Sequence, residues 1–540
     1  MSTSTGHRPA RCLMVLGCTS NAGKSWLTTA LCRWYANQGL RVAPFKAQNM
    51  SNNARVVGGT AQHPDGGEIG SAQYFQALAA RTQPDVRMNP LLLKPEADTR
   101  SQVVLLGQVH PELTAMAWRE RPRHTWPAVA EALDALRASH DLVLIEGAGS
   151  PAEINLYASD VVNMRVARHA QARCLLVADI DRGGAFAHLY GTWALLPESD
   201  RALIRGFVLN KFRGDARLLA PAPEMLRERT GVPTLATLPL WRGHGLPEED
   251  GVFDDAGVGQ AQGEATRIIA IVAYPHLSNL DEFEPLRQLA ALPGSGVRLR
   301  WVRDPAALGD LQPHDTLILP GSKHTAADLQ WLRERRLDAA ICAHAARGGR
   351  VLGICGGLQM LGEAVIDTDG LEGGPGARHA NAPGLGLLPL VTLFTARKTV
   401  RHWSGAFGTR PTEGASSEAP AWPGAWSALA GQPLSGYEIH MGQTAPHPAM
   451  LRAGHRALPV LASAADGAAP LGWINGAATA ANPHVGNVLG LYLHGMLEHP
   501  HILQALWGAA PPPLEETFER MAAFVETHFG AETLHALVQP

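Results

Sequence analysis

The apolar run Val351-Leu352 breaks at Gly353-Ile354-Cys355-Gly356-Gly357 and resumes in a helical pattern, Leu358-Gln359-Met360-Leu361. Strand, sharp turn and helix in that order make a nucleophile elbow, with sulfur in the serine position. Such an elbow sits at a strand end, so this part of the chain reads as α/β. The flanking glycines permit the turn. The backbone N–H groups that follow, Gly356 first, lie at a helix N-terminus, where they can lower a thiolate pKa and hold a developing oxyanion. A second signature stands far upstream: Gly17-Cys18-Thr19-Ser20-Asn21-Ala22-Gly23-Lys24-Ser25.

At 540 residues the chain has room for roughly two to four domains. A hydrophobic fraction of 46% and a charged fraction of 18% are those of a soluble globular protein. A net charge of -3, with no block of Lys and Arg, leaves no footprint for nucleic acid. The apolar run 13–16 is too short for a signal segment or a membrane span. The six cysteines (12, 18, 32, 174, 342, 355) contain no C-x-x-C pair and suit a reducing compartment. These features point to a cytoplasmic α/β enzyme, with no membrane or nucleic-acid partner.

Short apolar runs alternate with helical patterns in the first half, as a parallel sheet requires. Strands are expected at 13–17, 41–45, 142–146, 174–179 and 206–210, several ending in a polar residue at the carboxyl edge, where open α/β sheets bind ligands. Residues 241–266 read as a linker. A second α/β pattern starts at Arg267 and continues through 316–319, 351–354 and 488–493. Residues 370–431, rich in Gly, Pro, Ala and Ser, predict long loops. The stretch 514–538 reads as amphipathic helix closing the second domain. The expected division is therefore a P-loop domain at 10–240, the linker at 241–266 and an amidase domain at 267–540.

The upstream signature, G-x5-G-K-S, departs from an ordinary P-loop by one residue, but a strand precedes it and a helical pattern follows, as that motif needs. Backbone N–H groups of the loop through Thr19, Asn21, Ala22 and Gly23 would hold phosphates at the helix N-terminus. Lys24 would neutralise the transferring phosphoryl group and Ser25 would ligate Mg²⁺. Lys46, at the next strand end, is a candidate to stabilise a migrating phosphoryl group. Glu146, followed by Gly147-Ala148-Gly149, is the candidate second Mg²⁺ ligand or water-orienting carboxylate. Asp179, Asp181 and Arg182-Gly183-Gly184 form another strand-end cluster, readable equally as a solvated loop.

A cysteine nucleophile needs a base. His494, ending the run Leu489-Gly490-Leu491-Tyr492-Leu493, is the first candidate, and His440 in Tyr437-Glu438-Ile439-His440 is the second. Pro320-Gly321-Ser322 follows a strand, so the Gly321 N–H is a candidate second oxyanion donor. A thiol amidase joined to an ATP site suggests a division of labour. The thiol releases ammonia from glutamine, while ATP phosphorylates a carboxylate whose oxygen is otherwise a poor leaving group.

Several segments together resemble the cobyric acid synthase family of glutamine-dependent amidotransferases. They are residues 17–25, Lys46-Ala47-Gln48-Asn49-Met50-Ser51-Asn52-Asn53, Gly67-Glu68-Ile69-Gly70, 88–95, 146–153, 179–184 and 436–442. The resemblance spans about 13–500 and favours this family over the a,c-diamide synthases, the alternative. It implies a dethiobiotin-synthetase-like N-terminal domain and a class I glutamine amidotransferase-like α/β domain. It implies ATP, Mg²⁺, glutamine and a corrinoid, adenosylcobyrinic acid a,c-diamide, whose b, d, e and g carboxylates become amides. It also assigns the nucleophile to Cys355, the base to His494, phosphate contact to Lys46 and the metal-site glutamate to Glu146. One departure stands out. Class I glutaminases carry His-Pro-Glu, whereas this chain has His494-Gly495-Met496, so a dyad is expected, with Glu498 or Glu438 as candidate orienting acids.

Overall fold

The structure is a computed structural model that describes residues 9–58, 66–97, 100–247, 266–372, 381–409, 422, 424–461, 469–479 and 482–539. It divides into two compact units, Met1–Asp250 with Pro513–Pro540, and Gly251–Pro512. Most of the expected linker, 248–265, lies outside the described residues.

The first unit is built on a six-stranded, wholly parallel sheet. Its strand order is Thr234–Pro239, Ile204–Phe212, Arg173–Asp179, Arg11–Gly17, Leu142–Glu146 and Val42–Phe45. Arg11–Gly17 is central, and its side chains alternate between two covered faces. Leu13 and Val15 enter one core with Leu27 and Leu31, while Met14 and Leu16 enter the other with Ile145 and Leu176. This is the period-2 pattern of a strand buried on both sides. Val15 is level with Glu146 and Gly17 with Val177, so the loop after Gly17 emerges beside both strand ends.

The C-terminal helices, Leu514–Phe529 and Ala531–Val538, belong to this first unit and do not close the second. Phe518, Met521, Val525 and Phe529 share a core with Leu27, Leu31 and Trp34 of the helix Lys24–Asn37. Arg33, fully buried on that helix, meets Glu515 at 2.5 Å and Glu519 at 3.1 Å, and Trp34 Nε1 donates to Glu526 at 2.9 Å. Amphipathicity shows that a helix must cover something, but it carries no address for which apolar face. That is why a sequential reading joined these helices to the nearer domain.

The second unit carries a seven-stranded sheet ordered Val297–Val302, Arg267–Val272, Thr316–Leu319, Arg350–Ile354, Val488–Leu491, Gly472–Asn475 and Ala457–Leu461. The first five strands run parallel; Gly472–Asn475 runs antiparallel to Val488–Leu491, and Ala457–Leu461 antiparallel to Gly472–Asn475. The loop expectation for 370–431 holds only in part. A 17-residue strand, Leu390–Ala406, lies within it and pairs antiparallel with Pro433–Pro446. Its alternating β-branched and aromatic residues outweigh the surrounding glycine and proline content. Residues 373–380, 410–421 and 423 lie outside the described residues.

Candidate functional site

The elbow sits where the fold makes it useful. Arg350–Ile354 pairs with Val488–Leu491 so that Ile354 is level with Leu491, placing Cys355 and His494 just beyond adjacent strand ends. Cys355 adopts φ 53° and ψ −106°, a conformation a side chain rarely holds, at the start of the helix Gly356–Leu361. Backbone strain of this kind persists only where the surroundings enforce it. A Cβ on Gly357 would stand 1.9 Å from the Leu319 carbonyl oxygen, and one on Gly356 would stand 2.6 Å from the Ser322 nitrogen. The 320–322 backbone therefore packs directly on the elbow. A Cβ on Gly321 would lie 3.4 Å from His494 Cε1, so both candidate oxyanion glycines flank the Cys–His pair.

His494 is buried and hydrogen-bonded to the Cys355 side chain. Its Nδ1 donates to Glu282 Oε2 at 3.0 Å, while Glu282 Oε1 accepts the Gly495 N–H at 2.9 Å. With Nδ1 engaged, Nε2 is the nitrogen left for the thiol. Tyr437 stacks on the ring at 5.2 Å and 15°. Burial disfavours the imidazolium, but the Glu282 charge and the bonds to Cys355 and Glu282 outweigh it and raise the pKa from 6.5 to about 10. The charged histidine thus stabilises the fold fully below 6.5, and that contribution disappears as pH rises through about 10.

The expected dyad is therefore a triad in geometry, and the acid is neither sequence candidate. Glu438 is occupied elsewhere: its Oε2 holds His440 Nε2 at 3.1 Å and its Oε1 accepts from Arg401 Nε at 2.5 Å. His440, stacked on Tyr492 at 3.8 Å, belongs to that chain; on that side the Cys355 thiol meets the backbone carbonyl of Ile439, at 3.6 Å, and not the His440 ring. Glu282 escapes sequence reading because it precedes His494 by 212 positions and arrives from a one-turn helix, Leu280–Phe283. Glu282→Gln is expected to lower glutaminase kcat/KM on the order of 10²-fold. Without the negative charge the His494 pKa falls, so the alkaline limb of the pH–rate profile should move to lower pH. An unmoved limb would reduce Glu282 to a packing role.

In the first unit the strand ends gather the phosphate-side candidates. Ser25 Oγ donates to Glu146 Oε1 at 2.8 Å, Lys46 Nζ to the same oxygen at 3.0 Å, and Gln76 Nε2 to Oε2 at 2.6 Å. Burial alone would raise the Glu146 pKa, but the Lys46 charge and the three hydrogen bonds hold it below its ordinary value. Lys24 Nζ donates to the Thr19 carbonyl at 3.0 Å and the Gly149 carbonyl at 3.4 Å, lying across the loop mouth. Asn21 and Gly23 both take positive φ, the turn that aims successive N–H groups inward. Asn210 Nδ2 donates to the Ala22 carbonyl and Lys211 Nζ to the Asn21 carbonyl, each at 2.8 Å. A Cβ on Gly23 would meet Asn210 at 2.0 Å, so this brace requires glycine there.

Gln76, Asn210 and Lys211 went unassigned in the sequence, although Asn210 ends an expected strand and so carried a signal. Asp179 forms ion pairs with Lys211 at 3.3 Å and with Arg182 at 3.4 Å, which makes that cluster a charge network at the end of the loop's neighbour strand. Cys18 is a buried thiol whose pKa burial pushes up to about 11, unsuited to nucleophilic work. Ser25 Oγ and Glu146 Oε1 are two hard oxygen donors side by side. That set suits Mg²⁺, which keeps several waters and takes one or two protein oxygens beside phosphate.

Comparison with known proteins identifies both domains. Residues 13–242 match the CobQ/CobB/MinD/ParA nucleotide binding domain, and residues 268–502 match the CobB/CobQ-like glutamine amidotransferase domain. A cobyric acid synthase of Variovorax paradoxus is 63% identical, covering 98% of this chain and 99% of the relative. One from Acidovorax sp. is also 63% identical over 98% of each, and one from Paracidovorax citrulli is 64% identical over 96% and 97%. With two domain models in series and near-full-length identity of this order, the chain belongs to the cobyric acid synthase family.

Proposed function

We propose that this chain converts adenosylcobyrinic acid a,c-diamide into adenosylcobyric acid, amidating the b, d, e and g carboxylates with one ATP and one glutamine each. Glutamine-dependent amidation in cobalamin biosynthesis comes with family membership. The observation that carries the finer reading is one chain holding both a Cys355–His494–Glu282 constellation and a Ser25–Glu146–Lys46 cluster beside a phosphate loop.

The Cys355 thiolate attacks the glutamine side-chain carbonyl. The backbone N–H groups of Gly356 and Gly321 hold the oxyanion as the carbon becomes tetrahedral. The His494 imidazolium gives its proton to the departing nitrogen, which leaves as ammonia; water then releases glutamate from the thioester. Glu282 is the positioning residue that keeps His494 in the correct tautomer and charge. At the phosphate loop, N–H groups of residues 19–23 and Lys24 hold the ATP phosphates in line with the substrate carboxylate. Lys46 meets charge spreading on the transferred group. Ser25 and Glu146 would hold Mg²⁺, which supplies neutralisation of phosphate charge when bound. The carboxylate oxygen takes the γ-phosphoryl, ADP leaves, and ammonia displaces phosphate from the acyl carbon to form the amide.

Among the described residues no helix is long and apolar enough to cross a membrane, and all six cysteines are free. Free thiols suit a reducing cytoplasm, the compartment proposed for the reaction. The deciding experiment incubates the protein with adenosylcobyrinic acid a,c-diamide, MgATP and glutamine and counts acid-to-amide conversions by mass spectrometry. Four conversions are expected. An untouched a,c-diamide, with two conversions on the corresponding diacid, would instead mark an a,c-diamide synthase.

A further inference from the structure

We propose that a cavity beside the phosphate loop seats the acyl acceptor by one acid-bearing edge, with the rest of the macrocycle lying on its exposed apolar rim. The proposal rests on the corrinoid reading above and assigns that substrate a place. The cavity, of about 260 Å³, lies wholly within the first unit. One wall is a face of a parallel strand pair, where Gln48 is level with Leu91 and Met50 with Leu93. Period-2 alternation puts those four side chains on the same side of the sheet.

The cavity's walls continue the two segments that carry the phosphate-side residues. Gln48 follows Lys46 by two positions, and Ala148, which also lines the cavity, follows Glu146 by two. Gly149 lines the cavity, and its carbonyl oxygen accepts from Lys24 Nζ at 3.4 Å. A carboxylate entering here would therefore arrive next to the groups that handle the γ-phosphate.

The chemistry of the mouth selects the class of occupant. Met50, Trp118 and Leu156 line the cavity yet remain 48%, 41% and 40% exposed, an unusual use of large apolar side chains. Arg121 lies among them, its guanidinium 5.7 Å from the Trp118 ring. Its Nε donates to the Met116 carbonyl and its Nη2 to the Thr114 carbonyl, both at 3.0 Å, and among the described residues no carboxylate pairs with it. A cation without an acid, set in an apolar lip, suits a large apolar body edged with carboxylates. Asp160, also on the wall, is committed to the Val162, Asn163 and Met164 N–H groups and holds the loop in shape. Sites that engulf a whole drug-sized ligand run to about 300–1,000 Å³. This one is smaller, and a tetrapyrrole-derived ring is larger than such ligands, so only one edge can enter.

Equilibrium dialysis of the full chain against adenosylcobyrinic acid a,c-diamide, followed by corrin absorbance, tests the assignment. Trp118→Ala and Arg121→Gln are each expected to weaken corrinoid binding by about tenfold or more, with the ATP Kd unchanged within about twofold. Wild-type corrinoid affinity in both variants would overturn the cavity while leaving the corrinoid reading intact. Parallel loss of ATP affinity would show a disturbed fold and likewise overturn it. A wild-type protein that neither binds nor amidates the corrinoid would fail the functional reading itself, and the cavity assignment with it.

Discussion

Cys355→Ala is expected to abolish amidation driven by glutamine, by at least about 10⁴-fold, while amidation driven by high ammonia persists. Alanine keeps the Cβ, so the strained backbone at φ 53° costs the same in both proteins and the elbow should survive. What disappears is the sulfur that His494 hydrogen-bonds. No other thiol is suited to replace it: burial raises the pKa of Cys342, the other thiol of the same unit, and in the first unit it raises Cys12 and Cys18 to about 11, and Cys32 and Cys174 still further. Ammonia supplied from solution bypasses only the glutaminase half-reaction, so the ATP-dependent half should continue. Product formation with glutamine, and with ammonium salt at alkaline pH, measures both halves on one preparation. Glutamine-dependent turnover in the variant would make Cys355 a packing residue. Loss of both activities would mean that the thiol site and the synthase site fail together.

The complementary change is Glu146→Gln, expected to lower amidation about 10³-fold with either nitrogen source while glutaminase activity is retained. Several kcal/mol of charge stabilisation at a phosphoryl-transfer site correspond to about that factor, at 1.36 kcal/mol per decade. Glu146 is fully buried and accepts from Ser25, Lys46 and Gln76, so it sets the position of those three side chains. Removing its charge also leaves the Lys46 ammonium buried without its carboxylate, a cost of about 3–5 kcal/mol. Thermal unfolding of the variant should therefore be run beside the assay, and Lys46→Met/Glu146→Gln should recover stability without recovering activity. Activity restored along with stability would make the pair structural. Because the carboxyl is held below its ordinary 4.5, the pair is intact at neutral pH and is lost only as pH falls through its folded value.

Both signatures are contiguous in the chain, which explains how much of this protein is legible in its sequence. An elbow needs small residues beside a nucleophile on a strand-to-helix turn, and a phosphate loop needs glycines, a lysine and a hydroxyl at fixed offsets. The parallel strands were legible for a related reason, since strands buried on both faces read as unbroken apolar runs. Polar residues that close such runs, among them Lys46, Glu146 and His494, then stood out as edge residues.

Other features depended on residues far apart in the chain. Glu282 reaches His494 only because the connection after Arg267–Val272 folds over the end of Val488–Leu491, and no spacing rule links positions 212 apart. Asn210, Lys211 and Gln76 acquire roles from what they touch, the Ala22 and Asn21 carbonyls and the Glu146 carboxylate, rather than from their neighbours in sequence. The placement of Leu514–Phe529 on Lys24–Asn37 follows the same logic, because a buried Arg33 and an apolar stripe specify a partner by shape and charge. Local chemistry, the parallel strands along the chain and the two motifs were thus determined by the sequence by itself. Which distant acid aligns the base, and which unit receives the last two helices, was decided by tertiary packing, since those contacts join surfaces whose complementarity exists only in three dimensions.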